Sequence, residues 1–203
     1  MRRFPLMPLI LLAAMAQPAF AHPSTIPHTH GGHDFVNGWQ HPFSGLDHLL
    51  AMVAVGLLAV RIGGRALWLM PGAFLGSMVL GGIVAALGVP LPGVEFGIAA
   101  SVLVLGLLIA VTKVVPLTYG AALVALFAFF HGHAHASEMA TGGSLAAYAA
   151  GFVLATAVLH AAGVLGGQLL VRKSGGAAAD NRALRWTGGL ISLAGVLLVC
   201  GLI

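Results

Sequence analysis

The sequence predicts an all-α polytopic membrane protein, with six transmembrane helices behind a cleavable signal peptide, on three observations. Hydrophobic residues fill 59% of the 203 positions and charged residues only 7%, giving a mean hydropathy of +1.01. A chain so composed has too little polar surface to stay dissolved in water. The apolar residues fall into repeated runs, each near the ~20 residues that a helix needs to cross the hydrocarbon. The cations that follow the first segment gather in alternate loops, as a membrane topology demands.

Residues 1–21 carry the three parts of a secretory signal: Arg2 and Arg3, an apolar stretch from Leu6 to Ala16, and Ala19-Phe20-Ala21 as a small-x-small cleavage motif. Pro5, Pro8 and Pro18 argue against an uncleaved first span, and only the arginine pair matches a twin-arginine signal. The mature chain then starts at His22. Residues 22–43 form a His-rich lead-in, with His22, His28, His30, His33 and Asp34 set among Pro, Thr and Gly. Such a composition cannot bury a core, so a flexible periplasmic arm is expected. It reads either as a loose metal-capturing segment or as a solvated polar tail. An amino-terminal nickel or copper chelate built on a third-position His is excluded, because Pro23 lacks an amide proton and residue 24 is Ser.

Residues 44–203 form the membrane domain, with helices expected over 44–61, 66–88, 95–112, 117–135, 145–171 and 184–203. With the mature N-terminus outside, Arg61, Arg65, Lys113, Arg172, Lys173, Arg182 and Arg185 all fall on the cytoplasmic side. Asp34, Asp47, Glu95 and Glu138 fall outside, and only Asp180 inside. The expected placement is therefore the bacterial inner membrane, N-out and C-out. Close helix packing is expected at small residues: Gly72 and Gly76, Gly97 and Ser101, Ala147 and Gly151.

Several function classes drop out. The formal charge of +4 comes from cations that do not gather into a stripe able to track phosphates, so no nucleic-acid partner is expected. No G-x-x-x-x-G-K-[ST] loop is present to bind nucleotide phosphates. The single cysteine, Cys200, leaves no thiolate cluster for a soft metal.

What remains is imidazole and carboxylate at one end of the expected bundle. Residues 41–48 read His-Pro-Phe-Ser-Gly-Leu-Asp-His, and residues 130–138 read Phe-His-Gly-His-Ala-His-Ala-Ser-Glu. These donor types suit a borderline divalent metal ion, and an ionisable group within a membrane segment is costly enough to mark a functional site. His131, His135 and Glu138 at i, i+4 and i+7 share one helix face, while His133 points elsewhere. His41 stands ~10 Å along a continuous helix from His48, too far for one ion, so it joins only if the helix breaks before Ser44, where Pro42 and Gly45 permit a break. The candidate ligands are thus His41, Asp47, His48, Glu95, His131, His135 and Glu138. Competing readings are that Ser44 and Asp47 form a helix cap and that residues 131–138 are a wet helix end. His160, deep in the fifth expected helix, reads as an inner relay or as a buried neutral His bonded to a neighbour. Ser77, Ser101 and Thr156 either line a polar path or bond their own backbone.

Both stretches resemble the HupE/UreJ family of bacterial membrane proteins, and the resemblance covers essentially the whole chain. The family pattern H-x5-D-H is matched by His41, Asp47 and His48. The pattern F-H-G-x-A-H-G-x-E is matched by Phe130, His131, Gly132, Ala134, His135 and Glu138, with Ala136 in place of the second glycine. Glu95 resembles the family's third-helix acid. The resemblance implies a permease rather than an enzyme, supplying nickel to hydrogenases or ureases by facilitated diffusion or secondary transport. Ni2+ or Co2+ would be the cargo, with no tightly bound cofactor. A cobalt permease, a non-transporting metal-binding accessory protein and an intramembrane metalloenzyme are the alternatives. The expected partners are the divalent ion and the lipid bilayer, and both a homo-oligomer and a periplasmic metal donor are compatible with the chain.

Overall fold

The computed structural model describes residues 33–111, 115–138 and 143–203, without the side chains of residues 137, 138 and 179. The signal segment, His22, His28, His30 and Lys113 lie outside the described residues. Seven α-helices follow in order among those described: α1 (Asp34–Ser44), α2 (Leu46–Ile62), α3 (Ala66–Ala86), α4 (Val94–Ala110), α5 (Leu117–Glu138), α6 (Leu145–Ser174) and α7 (Arg182–Val199). The last six start and stop within a few residues of the expected apolar runs.

Four of them, α3, α5, α6 and α7, are long and apolar enough to cross a bilayer. The helices α1 and α2 together reach that length but bend by 82° at Gly45, and α4 is apolar with 17 residues. Trp68, Tyr119 and Trp186 stand exposed near the N-terminal ends of α3, α5 and α7. Exposed aromatics at one end of a bundle suit the interface between hydrocarbon and water.

The lead-in departs from the expected flexible arm, because residues 34–44 are helical. Asp34 places a negative charge in the first turn of α1, and its Oδ2 accepts a hydrogen bond from the Ser144 amide at 2.8 Å. Gly38 lets α1 lie against α6, where an added Cβ would strike the Tyr148 carbonyl. Pro42 sits inside α1 without ending it. The chain breaks instead at Gly45, one residue after Ser44, in extended backbone (φ −108°, ψ 130°). Ser44 does not cap α2; its hydroxyl donates to the His41 carbonyl at 2.6 Å.

The core lies around α2, buried from His48 through Arg61 along most of its length. It runs parallel to α6, with Gly56 against the His160 carbonyl and, further along both helices, Val60 against Gly167. The helices α3 and α5 are also parallel, with Met70 near Gly120 and, further along both, Gly81 against the Phe129 carbonyl. The helices α4 and α7 are antiparallel, with Gly106 against Ser192 and Gly195 against Leu103. The small residues do the packing, but not all those expected: added Cβ atoms on Gly72 and Gly76 meet nothing within 4 Å among the described residues. Gly97 faces the Phe130 ring and Gly151 faces the Phe35 carbonyl.

The two ends of the bundle differ in chemistry. At one end Arg61 donates from Nη2 to the Val111 carbonyl, and Arg185 donates from Nε to the Ala110 carbonyl at 3.0 Å. Two cations thus cover the C-terminal carbonyls of α4, where the helix dipole favours positive charge. The histidines gather at the other end.

Candidate metal centre

The bend at Gly45 folds α1 back over the start of α2, which brings His41 to a ring-centroid distance of 6.4 Å from His48. The end of α5 supplies two more imidazoles. The His48 ring lies 4.7 Å from that of His131 and 4.3 Å from that of His135, and His41 lies 4.5 Å from His135. One ring nitrogen from each of His48, His131 and His135 falls within 4.8 Å of the others, and all three residues are buried. Phe152 closes the side, its ring 4.2 Å from His135.

Hydrogen bonds decide which nitrogen of two of these rings faces inward. Oδ1 of Asp47 accepts from the His48 backbone amide at 2.7 Å and lies 2.7 Å from His48 Nδ1. A carboxylate only accepts, so Nδ1 carries the proton and Nε2 keeps the lone pair. That Nε2 is buried with no hydrogen-bond partner among the described residues. Gly45 makes room for the pair, since a Cβ there would stand 2.6 Å from Asp47 Oδ1 and 3.2 Å from His48 Nδ1.

On His131 the order is reversed. The Ser101 hydroxyl donates its one proton to the Ile98 carbonyl at 2.6 Å, so at 3.0 Å from His131 Nε2 it can only accept. Nε2 therefore carries the proton, and Nδ1, buried and unpartnered, keeps the lone pair. Two lone pairs from helices distant in sequence are thus held in fixed orientations. In metal sites the outer nitrogen of a ligating His is secured in this manner by a carboxylate, carbonyl or other group behind it.

The structure sorts the remaining sequence candidates. Asp47 stands behind His48 as an orienting group and lies outside the three-histidine group. Glu95 is exposed in the first turn of α4, about 9 Å along the axis from Ser101, and is likewise outside that group. Glu138 ends α5, its side chain outside the described residues. His133 turns away and donates from Nε2 to the Val89 carbonyl at 2.8 Å, tying α5 to the α3–α4 loop. His33 is exposed just before α1. His160 lies deeper in α6, its ring 4.8 Å from Phe74.

Sequence reasoning left Ser101 undecided between a polar path and a backbone bond; it makes a backbone bond and also accepts from His131. Ser77 donates to the Ala125 carbonyl at 2.6 Å and joins α3 to α5.

The chemistry available is reversible coordination. Imidazole nitrogens converging from a buried wall are donors of the type that suits a borderline divalent ion, and half-buried His41 stands beside them at the bend at Gly45.

The sequence model of a family described as "HupE / UreJ protein" matches residues 10–198. The chain is 43% identical over 190 residues to "Protein HupE" of Rhizobium leguminosarum bv. viciae, covering 94% of this chain and 95% of that protein. No solved structure matches.

Proposed function

The chain belongs to the HupE/UreJ family, and from that premise we propose that it carries a divalent transition-metal ion, Ni2+ first, across the bacterial inner membrane. The observation that carries the reading is the three-histidine group, in which Nε2 of His48 and Nδ1 of His131 are aimed inward by Asp47 and Ser101. A buried ring nitrogen without a partner, as on His48 and His131, is expensive in hydrocarbon, and a passing cation supplies the missing partner. Neutral nitrogen ligands bind such an ion less tightly than thiolates do, which suits a site that must also let go.

In this reading α2 and α4 are the two shorter spans of six, each about 25 Å long. The arginine end faces the cytoplasm and the histidine end the periplasm, as the distribution of cations favours. The ion sheds part of its water at the exposed end of α1 and α4, where His41 and Glu95 stand, and enters the three-histidine group beneath. No nucleotide-binding loop occurs in the chain, so movement follows the ion gradient or a coupled one.

The test is uptake of radioactive nickel into vesicles reconstituted with the full chain, with cobalt and zinc as competitors. Uptake that His48→Ala removes, and that nickel competes for better than cobalt, supports the proposal. Uptake equal in His48→Ala and wild type ends it.

A further inference from the structure

Beneath the three-histidine group the bundle holds one more imidazole, that of His160. Its residue is 1% exposed, and neither ring nitrogen has a hydrogen-bond partner among the described residues. Two measures give its depth. Phe152 sits beside His135, and His160 follows it by eight residues on α6, about 12 Å further along the axis. Gly56 follows His48 by eight residues on α2, and it is Gly56 that packs against the His160 carbonyl. Two helices therefore place His160 about two turns below the outer histidines.

The Phe74 ring stands between the levels. Phe74 of α3 is fully buried, with its ring centroid 5.7 Å from His131 above and 4.8 Å from His160 below. The intervening wall is not wholly apolar. Thr156 lies one turn above His160 on the same face of α6, and its hydroxyl lies 3.9 Å from the Met78 sulfur. The α3 backbone around Phe74 is punctuated by Pro71, which cannot donate to the preceding turn, and by Gly72 and Gly76, where an added Cβ meets nothing within 4 Å among the described residues.

From this arrangement the geometry points to His160 as a second binding station for the same divalent cation, reached from the outer histidines past the Phe74 ring. The inference rests on the transport reading above and extends it inward. A core histidine that serves structure bonds a neighbouring segment, as His133 does with the Val89 carbonyl of the α3–α4 loop. His160 instead presents two unused nitrogens at the depth where a partly dehydrated ion leaving His131 next needs a ligand. Two weak sites in series let an ion be bound well enough to enter and loosely enough to leave.

Nickel binding and nickel flux of the full-length reconstituted chain, measured on wild type, His160→Leu and His160→Gln, test the inference. Both variants should bind one nickel ion fewer per chain than wild type, keep outer-site affinity within about twofold, and lose uptake about tenfold or more. The thermal stability of His160→Leu should hold or rise, since an unpartnered polar group has left the core. If both variants bind as many ions as wild type, or transport within about twofold of it, the second station does not exist while the outer-site reading stands. If wild-type uptake is itself absent, or is unaffected by His48→Ala, the transport reading and the inner station fall together.

Discussion

The Ser101 hydroxyl lies 3.0 Å from Nε2 of His131 while donating to the Ile98 carbonyl, so α4 dictates which nitrogen of an α5 histidine faces the centre of the bundle. One residue outside both sequence motifs thereby sets the tautomer of a residue inside one of them.

Replacing Ser101 with Ala removes that acceptor and leaves the His131 ring free to place its proton on either nitrogen. Loss of a group behind a metal-ligating His typically costs 10–100-fold in affinity, so nickel binding to Ser101→Ala should weaken by about that factor. Isothermal titration of the purified protein checks this, with circular dichroism confirming that the helices persist. Affinity equal to wild type would show that the His131 orientation is held by other means.

Asp47 acts on His48 from the opposite direction, and its charge can be separated from its geometry. Asn at this position still offers a carbonyl oxygen to the Nδ1 proton but no charge, whereas Ala offers neither. Affinity should therefore fall in the order wild type, Asp47→Asn, Asp47→Ala, with the last about 10–100-fold below the first. Were Asp47 itself a ligand, Asn and Ala would instead fall together. The same titration distinguishes these patterns.

How far the sequence foretold this architecture depends on the range of the interaction concerned. Helices α2 to α7 begin and end where apolar runs do, because hydrocarbon forces every backbone group to be satisfied within its own segment. The grouping of His48, His131 and His135 was legible for a related reason, since polar side chains at that depth need partners. Helix α1 was not legible. Its residues mix polar with aromatic and apolar types over only 11 positions and include Gly38 and Pro42, and it is held by packing on α6, where Gly38 meets the Tyr148 backbone. That contact spans a long sequence separation and has no local signature. The same holds for Ser101, one hydroxyl among several in apolar helices. Residue type, shared depth and the family pattern grouped Asp47 and Glu95 with the candidate ligands; in the structure Asp47 lies 2.7 Å from His48 Nδ1 and Glu95 is exposed.

Arg61 is buried at the opposite end of α2 from His48, donating to the carbonyl of Val111 just past α4. Its removal should therefore separate stability from binding. Arg61→Leu leaves that carbonyl without its donor, a change worth about 1–3 kcal/mol of stability. Nickel affinity, set at the other end of the helix, should stay unchanged. Unfolding in mixed micelles alongside nickel titration reads both quantities; a matching loss of affinity would mean that the two ends are coupled.

Gly132 and Gly76 offer a contrast that tests the packing itself. Gly132 stands between His131 and His135 on α5, and an added Cβ would collide with the backbone carbonyl of Met78, which has no rotamer by which to move aside. Gly132→Ala must therefore push α3 and α5 apart, and overpacking of this kind costs about 1–3 kcal/mol. Because His131 is the preceding residue, the displacement should weaken nickel binding as well. Gly76 lies on α3 with nothing among the described residues within 4 Å of the added Cβ. There Gly76→Ala meets no obstacle and should gain up to about 1 kcal/mol from helix propensity. Paired unfolding measurements on the two variants should thus move in opposite directions, and a destabilised Gly76→Ala would mean that this face of α3 is covered by another molecule in the membrane.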